Sequence, residues 1–218
     1  MGSRRIDAFP VDPPPEDRER QGFITRLQTI SREVAFDPRA WSPSLAREVG
    51  AIFDGRAATW WTHRSPEYFR PLAEAIDAAG AFGGVCIDIG SGISLHEETL
   101  RARFDRVVAI DLSAEMLRLA DRSGTSLVRA DASALPIRAK SVDLVVCVNM
   151  FLFAAEYTRV LRAGGAIIFV STSGDRTPIY LSPRDVNDAL VTYGDARFAT
   201  VSGTSGDACW TIARRSER

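Results

Sequence analysis

The segment from Val85 to Ser94, which reads VCIDIGSGIS, constrains the fold more than any other part of the chain. Its apolar first half is typical of a buried strand, and Gly90 and Gly92 then permit a tight turn that a ligand can approach closely. In open α/β sheets, ligands bind at the carboxyl ends of the parallel strands. The sequence therefore predicts a nucleotide-type cofactor at this turn.

Short β-branched runs alternate with helical segments after this point, which is typical of parallel strands joined by crossover helices. The predicted strands are Val85–Ile89, Arg106–Ile110, Ser126–Arg129, Val142–Val148 and Ala166–Val170. The predicted helices are Leu95–Phe104, Ala114–Asp121 and Phe151–Leu161, the last ending at a left-handed cap formed by Gly164-Gly165. Five residues separate two final strands, Arg197–Ser202 and Ala208–Ala213, so we expect an antiparallel hairpin there.

The first third of the chain is predicted to be helical. Residues 1–15 contain three consecutive prolines and few apolar side chains, so we expect a disordered arm. Apolar residues three or four apart and helix-capping signals predict helices over 16–36, Ser44–Phe53 and Pro66–Ala79. We expect residues 16–80 to form an N-terminal helical cap, or lid, over a catalytic domain at 81–218.

Composition limits the partners. The 27 Lys and Arg residues are balanced by 28 Asp and Glu residues, which argues against binding a phosphate backbone. No apolar run has the length of a membrane span, and the three cysteines lie in apolar strand-like runs rather than in metal-binding spacings. We therefore predict a cytoplasmic monomer or homodimer with a small-molecule partner, and with no nucleic acid, membrane or metal.

Asp88 distinguishes between classes of cofactor. A carboxylate two residues before Gly90 would repel the pyrophosphate of a dinucleotide, whereas S-adenosylmethionine carries an ammonium and a sulfonium group. The dinucleotide pattern also requires a glycine where this chain has Leu95. A second acid, Asp111, follows Gly92 by 19 positions, which is the spacing at which a carboxylate meets ribose hydroxyls.

These motifs, in this order, resemble those of the class I S-adenosylmethionine-dependent methyltransferases. The similarity runs from Val85 to Val170 and rests on Asp88–Gly92, Asp111 with Ser113–Leu117, Asp131, and Arg159–Gly165. It implies an α/β fold with a Rossmann-like, doubly wound, seven-stranded sheet whose last strand is antiparallel. It also implies methyl transfer by direct displacement to an O, N or C atom of an unidentified, small-molecule acceptor.

The resemblance implies a set of cofactor contacts as well. The glycine turn would lie under the methionine part, Asp111 would bind the ribose hydroxyls, Asp131 would bind the adenine amino group, and Asn149 would lie near the methionine amine. Leu112 and Met116 would pack against adenine. The predicted cofactor-binding residues are Asp88, Gly90, Ser91, Gly92, Asp111, Leu112, Met116, Asp131, Ala132 and Asn149.

The sequence departs from the family pattern at two positions. Ser94 stands where the family usually has a third glycine, and it is predicted to cap the following helix instead. Ala163 replaces the usual proline before Gly164-Gly165, and that proline only rigidifies a turn.

An aromatic cluster precedes the predicted cofactor domain and contains Trp60, Trp61 and Tyr68. These residues are interpreted either as substrate- or sulfonium-facing groups or as packing between helices and sheet. His63, in the same cluster, is the first candidate for a catalytic base, and His96 is the second.

Two aromatic residues follow the fourth and fifth strands, where an acceptor pocket is expected to open. Phe151 and Tyr180 are predicted to line it, although core packing is the competing interpretation for Phe151. Two other functions stay open at this point. One is a nicotinamide-dependent oxidoreductase on a related fold, and the other is a non-catalytic relative that binds only a partner.

Overall fold

A computed structural model describes residues 15–60, 68–80 and 83–217. The predicted disordered arm therefore lies outside the described residues, except for Pro15, which begins the first helix. Within these ranges no helix is long and apolar enough to cross a membrane.

A seven-stranded sheet forms the centre of the molecule. Its strands are β1 (Val85–Ile89), β2 (Arg106–Asp111), β3 (Ser126–Arg129), β4 (Val142–Val148), β5 (Leu161–Ser171), β6 (Phe198–Ser205) and β7 (Ala208–Arg215). The spatial order is β3-β2-β1-β4-β5-β7-β6, and β7 pairs antiparallel with both neighbours while β1 to β5 are parallel. This confirms the predicted Rossmann-like sheet with its terminal hairpin.

Seven α-helices surround the sheet in the described part of the chain. They are α1 (Pro15–Phe36), α2 (Pro43–Arg56), α3 (Arg70–Ala79), α4 (Glu97–Arg101), α5 (Ala114–Leu119), α6 (Ala154–Val160) and α7 (Pro183–Tyr193). Helix α3 begins at Arg70, and its predicted start at Pro66 lies outside the described residues. Helix α7 was not predicted, although Ser182 caps it and Pro183 occupies its first turn.

Two connections differ from the prediction. Helix α6 ends at Val160 and the chain passes directly into β5, so Gly164, with φ of 74°, lies inside a strand and caps no helix. The hairpin turn is shorter than expected, because Ser205 already pairs with Ala208. Only Gly206 and Asp207 separate the two strands.

The sheet buries a different apolar core on each face. Because side chains alternate along a strand, Ile87 belongs to one core while Cys86 belongs to the other, which is covered by α3 and α4. Cys86 and Cys147 are buried as predicted, whereas Cys209 is half-buried. Asp88 shares the face of Cys86, so its carboxylate points into the apolar layer beneath α3 and α4.

The N-terminal helices attach to the carboxyl edge of the sheet, where the strands end in loops. The Gln28 amide, on α1, donates to the carbonyls of Asp175 and Thr177 at 2.7 and 3.0 Å. Asp54, on α2, accepts from the Ser113 hydroxyl and, at 3.1 Å, from the Glu115 N–H. Both helices therefore lie over the edge that carries the glycine turn.

The loop after β4 is fixed by one buried hydrogen bond, so Tyr157→Phe should destabilise the protein. The Tyr157 hydroxyl donates to the Phe151 carbonyl at 2.8 Å, and its removal leaves a buried acceptor unpaired. We expect a loss of about 1–3 kcal/mol in the free energy of unfolding, measured by urea titration. Tyr180→Phe is the control, because the Tyr180 hydroxyl makes no hydrogen bond with the described residues; equal losses in the two variants would contradict the prediction.

Candidate active site

A cavity of about 470 Å³ opens at the carboxyl edge of the sheet, which is a volume typical of small-molecule sites. Its walls come from the loops after β1 to β5 and from α1 and α2. All ten predicted cofactor-binding residues line it: Asp88, Gly90, Ser91, Gly92, Asp111, Leu112, Met116, Asp131, Ala132 and Asn149. The fold thus brings together side chains that lie up to 61 positions apart in the sequence.

The glycine turn has a left-handed backbone at three positions. Gly90, Gly92 and Ser94 have φ of 71°, 57° and 64°, respectively. Ser94 therefore adopts a conformation that favours glycine, at a cost of about 1–2 kcal/mol. The prediction that Ser94 caps the next helix was wrong, because the N-cap of α4 is His96, two residues further on, and α4 begins at Glu97 with no side-chain capping bond.

Asp88 is a buried carboxylate that faces the cavity. It is 2% exposed, and its Oδ2 has no hydrogen-bond partner among the described residues. Burial raises the pKa of Asp88 well above its usual range, and the charges of Glu97 and Asp111 raise it further. A cationic group in the cavity would satisfy the carboxylate and reverse this shift.

Glu97 places a second acid behind the glycine turn. It begins α4, is 2% exposed, and its carboxylate oxygens make no hydrogen bond of ordinary geometry within the described ranges. Burial raises the pKa of Glu97 to about 7, against the opposing effect of the Ser94 hydroxyl. Asp88 and Glu97 are therefore two acids whose ionisation is disfavoured by burial, and a charge on Glu97 disfavours ionisation of Asp88 further.

Asp111 is held in place by backbone donors on both sides. The N–H groups of Gly92 and Ser113 donate to its two carboxylate oxygens at 2.8 and 2.7 Å. Burial raises the pKa of Asp111, and these hydrogen bonds oppose the shift. Ser113 also caps α5 and donates to Asp54, so α2 helps to fix the position of Asp111.

Asp131 receives a hydrogen bond from the N-terminal cap. The Trp41 indole N–H lies 3.0 Å from both carboxylate oxygens of Asp131, and the Ser133 N–H donates to the same carboxylate at 2.8 Å. The Trp41 ring packs on Phe151 and Phe153, with centroids 5.5 and 5.2 Å apart. The sequence analysis missed Trp41, because it lies between helices in no recognisable motif.

Asn149 joins the ends of β4 and β5. Its φ of 52° turns the chain sharply after β4, and its side chain exchanges hydrogen bonds with Thr172 at 2.9 Å in both directions. This pairing fixes the side-chain amide at the cavity wall.

A family model described as a methyltransferase domain matches residues 87–169, from β1 to β5. The matched segment contains the glycine turn, Asp111 and Asp131 in the predicted order. Residues 87–169 thus match a methyltransferase domain, which confirms the predicted resemblance to the S-adenosylmethionine-dependent methyltransferases.

Two relatives of this chain have assigned activities. A ubiquinone biosynthesis O-methyltransferase from Cupriavidus pinatubonensis is 30% identical over 150 residues, which make up 59% of each chain. A malonyl-[acyl-carrier protein] O-methyltransferase from Hamiltonella defensa is 33% identical over 92 residues, 38% of this chain and 36% of the relative. The alignments thus span only part of the length of either relative.

Solved methyltransferase structures share the fold. DhpI, in a complex with S-adenosylhomocysteine, has a TM-score of 0.65 and 21% identity over 82% of this chain and 100% of its own. A methyltransferase from Aquifex aeolicus has a TM-score of 0.58 and 16% identity over 80% of this chain and 99% of its own. At these identities the likeness shows the fold alone.

The residues predicted to contact an acceptor lie in different places. Trp60, Tyr68 and Phe151 line the cavity, whereas Tyr180 does not. Trp61 and His63 lie outside the described residues.

The histidine that the structure brings to the cavity is His96. It is buried, its ring stacks on Tyr68 with centroids 5.4 Å apart, and it meets the edge of Phe69 at 5.6 Å. Trp60 lies on the same wall and packs against Phe53 with centroids 5.8 Å apart. Tyr68 and Phe69 therefore contact the His96 ring, which is buried.

The raised pKa of Glu97 predicts how the stability of the ligand-free protein depends on pH. Glu97 keeps its proton up to about pH 7 in the folded state, whereas the ordinary pKa of an unfolded glutamate is 4.5. The stability that this group contributes is therefore greatest below pH 4.5 and is lost as pH rises through 7. The shift corresponds to a loss on the order of 3 kcal/mol. Glu97→Gln should therefore be more stable than the wild type at pH 8, measured by thermal unfolding at pH 5, 6, 7 and 8.

Glu98→Gln is the matched control, because Glu98 is exposed on the same helix. The thermal stability of Glu98→Gln should depend on pH as that of the wild type does. If the thermal stability of Glu97→Gln also depended on pH as the wild type does, the raised pKa of Glu97 would be contradicted.

Proposed function

We propose that this methyltransferase transfers the methyl group of S-adenosylmethionine to an oxygen atom of a small-molecule acceptor bound in the cavity. The single observation that supports this most strongly is the buried carboxylate of Asp88 at the glycine turn, where it has no cationic protein partner in the described residues. When bound, the cofactor supplies an electrophilic methyl group on a sulfonium.

The cofactor residues then have distinct tasks. Asp88 attracts the cationic methionine end, Asp111 accepts from the ribose hydroxyls, and Asp131 accepts from the adenine amino group. Met116, 1% exposed, packs below the base. Asp111 and Asp131 already accept protein N–H groups at 2.7 to 3.0 Å, so both carboxylates are oriented before the cofactor binds.

The acceptor lies on the other side of the cavity, between α1 and the loops after β4 and β5. That wall is apolar and is built from Phe23, Leu27, Met150 and Ile179. An apolar wall excludes water and orients the acceptor oxygen toward the methyl group, and positioning supplies much of the rate of a direct displacement. The N-terminal cap would then act as the lid.

The methylated atom is proposed to be oxygen because the two relatives are named O-methyltransferases. A carboxylate acceptor requires no base. For a hydroxyl acceptor, His96 lines the cavity and has the chemistry to take the proton.

The first test is Asp88→Asn, which should weaken binding of S-adenosylmethionine and S-adenosylhomocysteine at least tenfold in calorimetry. The same change removes a buried acid that must take up a proton to fold at neutral pH, so the free energy of unfolding of the ligand-free variant should rise. A variant that loses affinity while it gains stability cannot be explained by misfolding.

Asp195→Asn, at an exposed position, is the control and should change neither quantity. NADH is titrated in parallel, because a nicotinamide-dependent oxidoreductase would bind it at the same turn. Tight NADH binding, or undiminished S-adenosylhomocysteine affinity in Asp88→Asn, would overturn the proposal.

The second test is Trp41→Phe, which keeps the ring and removes the hydrogen bond to Asp131. We expect about tenfold weaker binding of S-adenosylhomocysteine, because a hydrogen bond to a charged group is worth about 1.5–3 kcal/mol. The loss should be smaller for S-inosylhomocysteine, which lacks the adenine amino group. Trp210→Phe is the control, since the Trp210 N–H has no partner in the described ranges; equal losses for both ligands would refute an adenine role for Asp131.

A further inference from the structure

Two arginines line the cavity on the side of the N-terminal helices. Arg20 lies on α1, and Arg56 is the last residue of α2. Both are exposed, so they stand where the cavity opens to solvent. The roles proposed above for the cavity residues do not involve Arg20 or Arg56.

Neither guanidinium has a carboxylate partner among the described residues, whereas other arginines of α1 do. Arg26 pairs with Glu48, and Arg32 pairs with Asp185 at 3.2 Å. Helix α1 therefore neutralises arginines that point away from the cavity. The cationic group that it presents to the cavity, on Arg20, has no such partner.

Arg56 is oriented by an aromatic ring. Its guanidinium carbon lies 3.9 Å from the centroid of the Phe23 ring, which is a close cation–π contact. Such stacking uses the face of the guanidinium and leaves its N–H edge available to a ligand. A planar guanidinium edge matches a carboxylate or a phosphate in bidentate geometry.

Arg20 lies on the acceptor side of the cavity, and Arg56 reaches the same side through its contact with the Phe23 ring, although α2 also contacts the cofactor side through Asp54. Arg20, Phe23 and Leu27 follow a helical spacing of three and four residues, so they form one stripe on α1. Gln28 anchors this part of α1 to the loop after β5, which belongs to the acceptor wall.

The cavity is therefore electrostatically divided. Three carboxylates, Asp88, Asp111 and Asp131, line the proposed cofactor side, and the two arginines stand at the apolar acceptor side. We propose, on the basis of the proposed function, that Arg20 and Arg56 bind a carboxylate or phosphate group of the acceptor, whose apolar body lies on Phe23 and its neighbours. The substrate class is an amphiphilic anion.

The test uses the full chain and three eight-carbon probes that share an apolar body. Octanoate, octyl phosphate and neutral octanol are titrated by calorimetry in the presence of saturating S-adenosylhomocysteine. We expect at least one anion to bind tenfold or more tightly than octanol. The tighter of octanoate and octyl phosphate identifies which anion the arginines recognise.

The double variant Arg20→Gln with Arg56→Gln should lose this preference and bind all three probes as weakly as octanol. The control is Arg26→Gln with Arg32→Gln, which removes the same charge from α1 but outside the cavity, and it should keep the preference. Affinity for S-adenosylhomocysteine should be unchanged in both variants.

Three results would overturn the inference. The first is equal binding of octanol and the two anions, and the second is a preference for an anion that survives in the double variant. The third is a loss of S-adenosylhomocysteine affinity in the double variant, because the arginines would then bind the cofactor. The titrations are repeated without S-adenosylhomocysteine. If that ligand does not bind, the proposed function fails, yet an anion preference that requires Arg20 and Arg56 would still support the inference.

Discussion

The carboxylate of Asp88 lies near the carboxyl end of β1, on the sheet face that carries an apolar layer, where an ionised acid is costly. In the ligand-free protein, burial raises the pKa values of Asp88, Glu97 and Asp111. These acids therefore keep their protons to a higher pH than exposed acids do, which avoids burying a charge. A cationic cofactor at the same place would remove the need for the protons. Stability, protonation and cofactor binding are therefore linked through one buried group.

The N-terminal segment does more than cover the site, because its side chains form hydrogen bonds that orient the acids of the site. Trp41 donates to Asp131, and Asp54 accepts from Ser113, which in turn donates its N–H to Asp111. The sheet thus provides the carboxylates, and the helices fix two of them in place. Geometry of this kind is preorganised, so less ordering is required when a ligand arrives.

The sequence predicted the fold where one physical signal was dominant. Strands β1 and β4 match residue for residue, because buried parallel strands are continuous apolar runs, and the short edge strand β3 matches as well. Helix α7 was missed although Ser182-Pro183 is a normal helix start, and Gly164 was misread because a left-handed glycine also fits inside a strand. Trp41 could not be predicted, since its role depends on a contact 90 positions away that only the folded chain creates.

The opposite charges of the cavity have a chemical consequence for methyl transfer. A guanidinium that donates hydrogen bonds to an oxygen lowers the nucleophilicity of that oxygen, so Arg20 and Arg56 would slow a reaction at the atoms they hold. The anion at the arginines is therefore best understood as an anchor, separate from the oxygen that attacks the methyl group. On the proposed function, that oxygen would lie deeper, in the apolar region near Met150, where no Lys or Arg lines the described part of the wall. The proposed acceptor would then carry an anionic end, an apolar body and a second oxygen function.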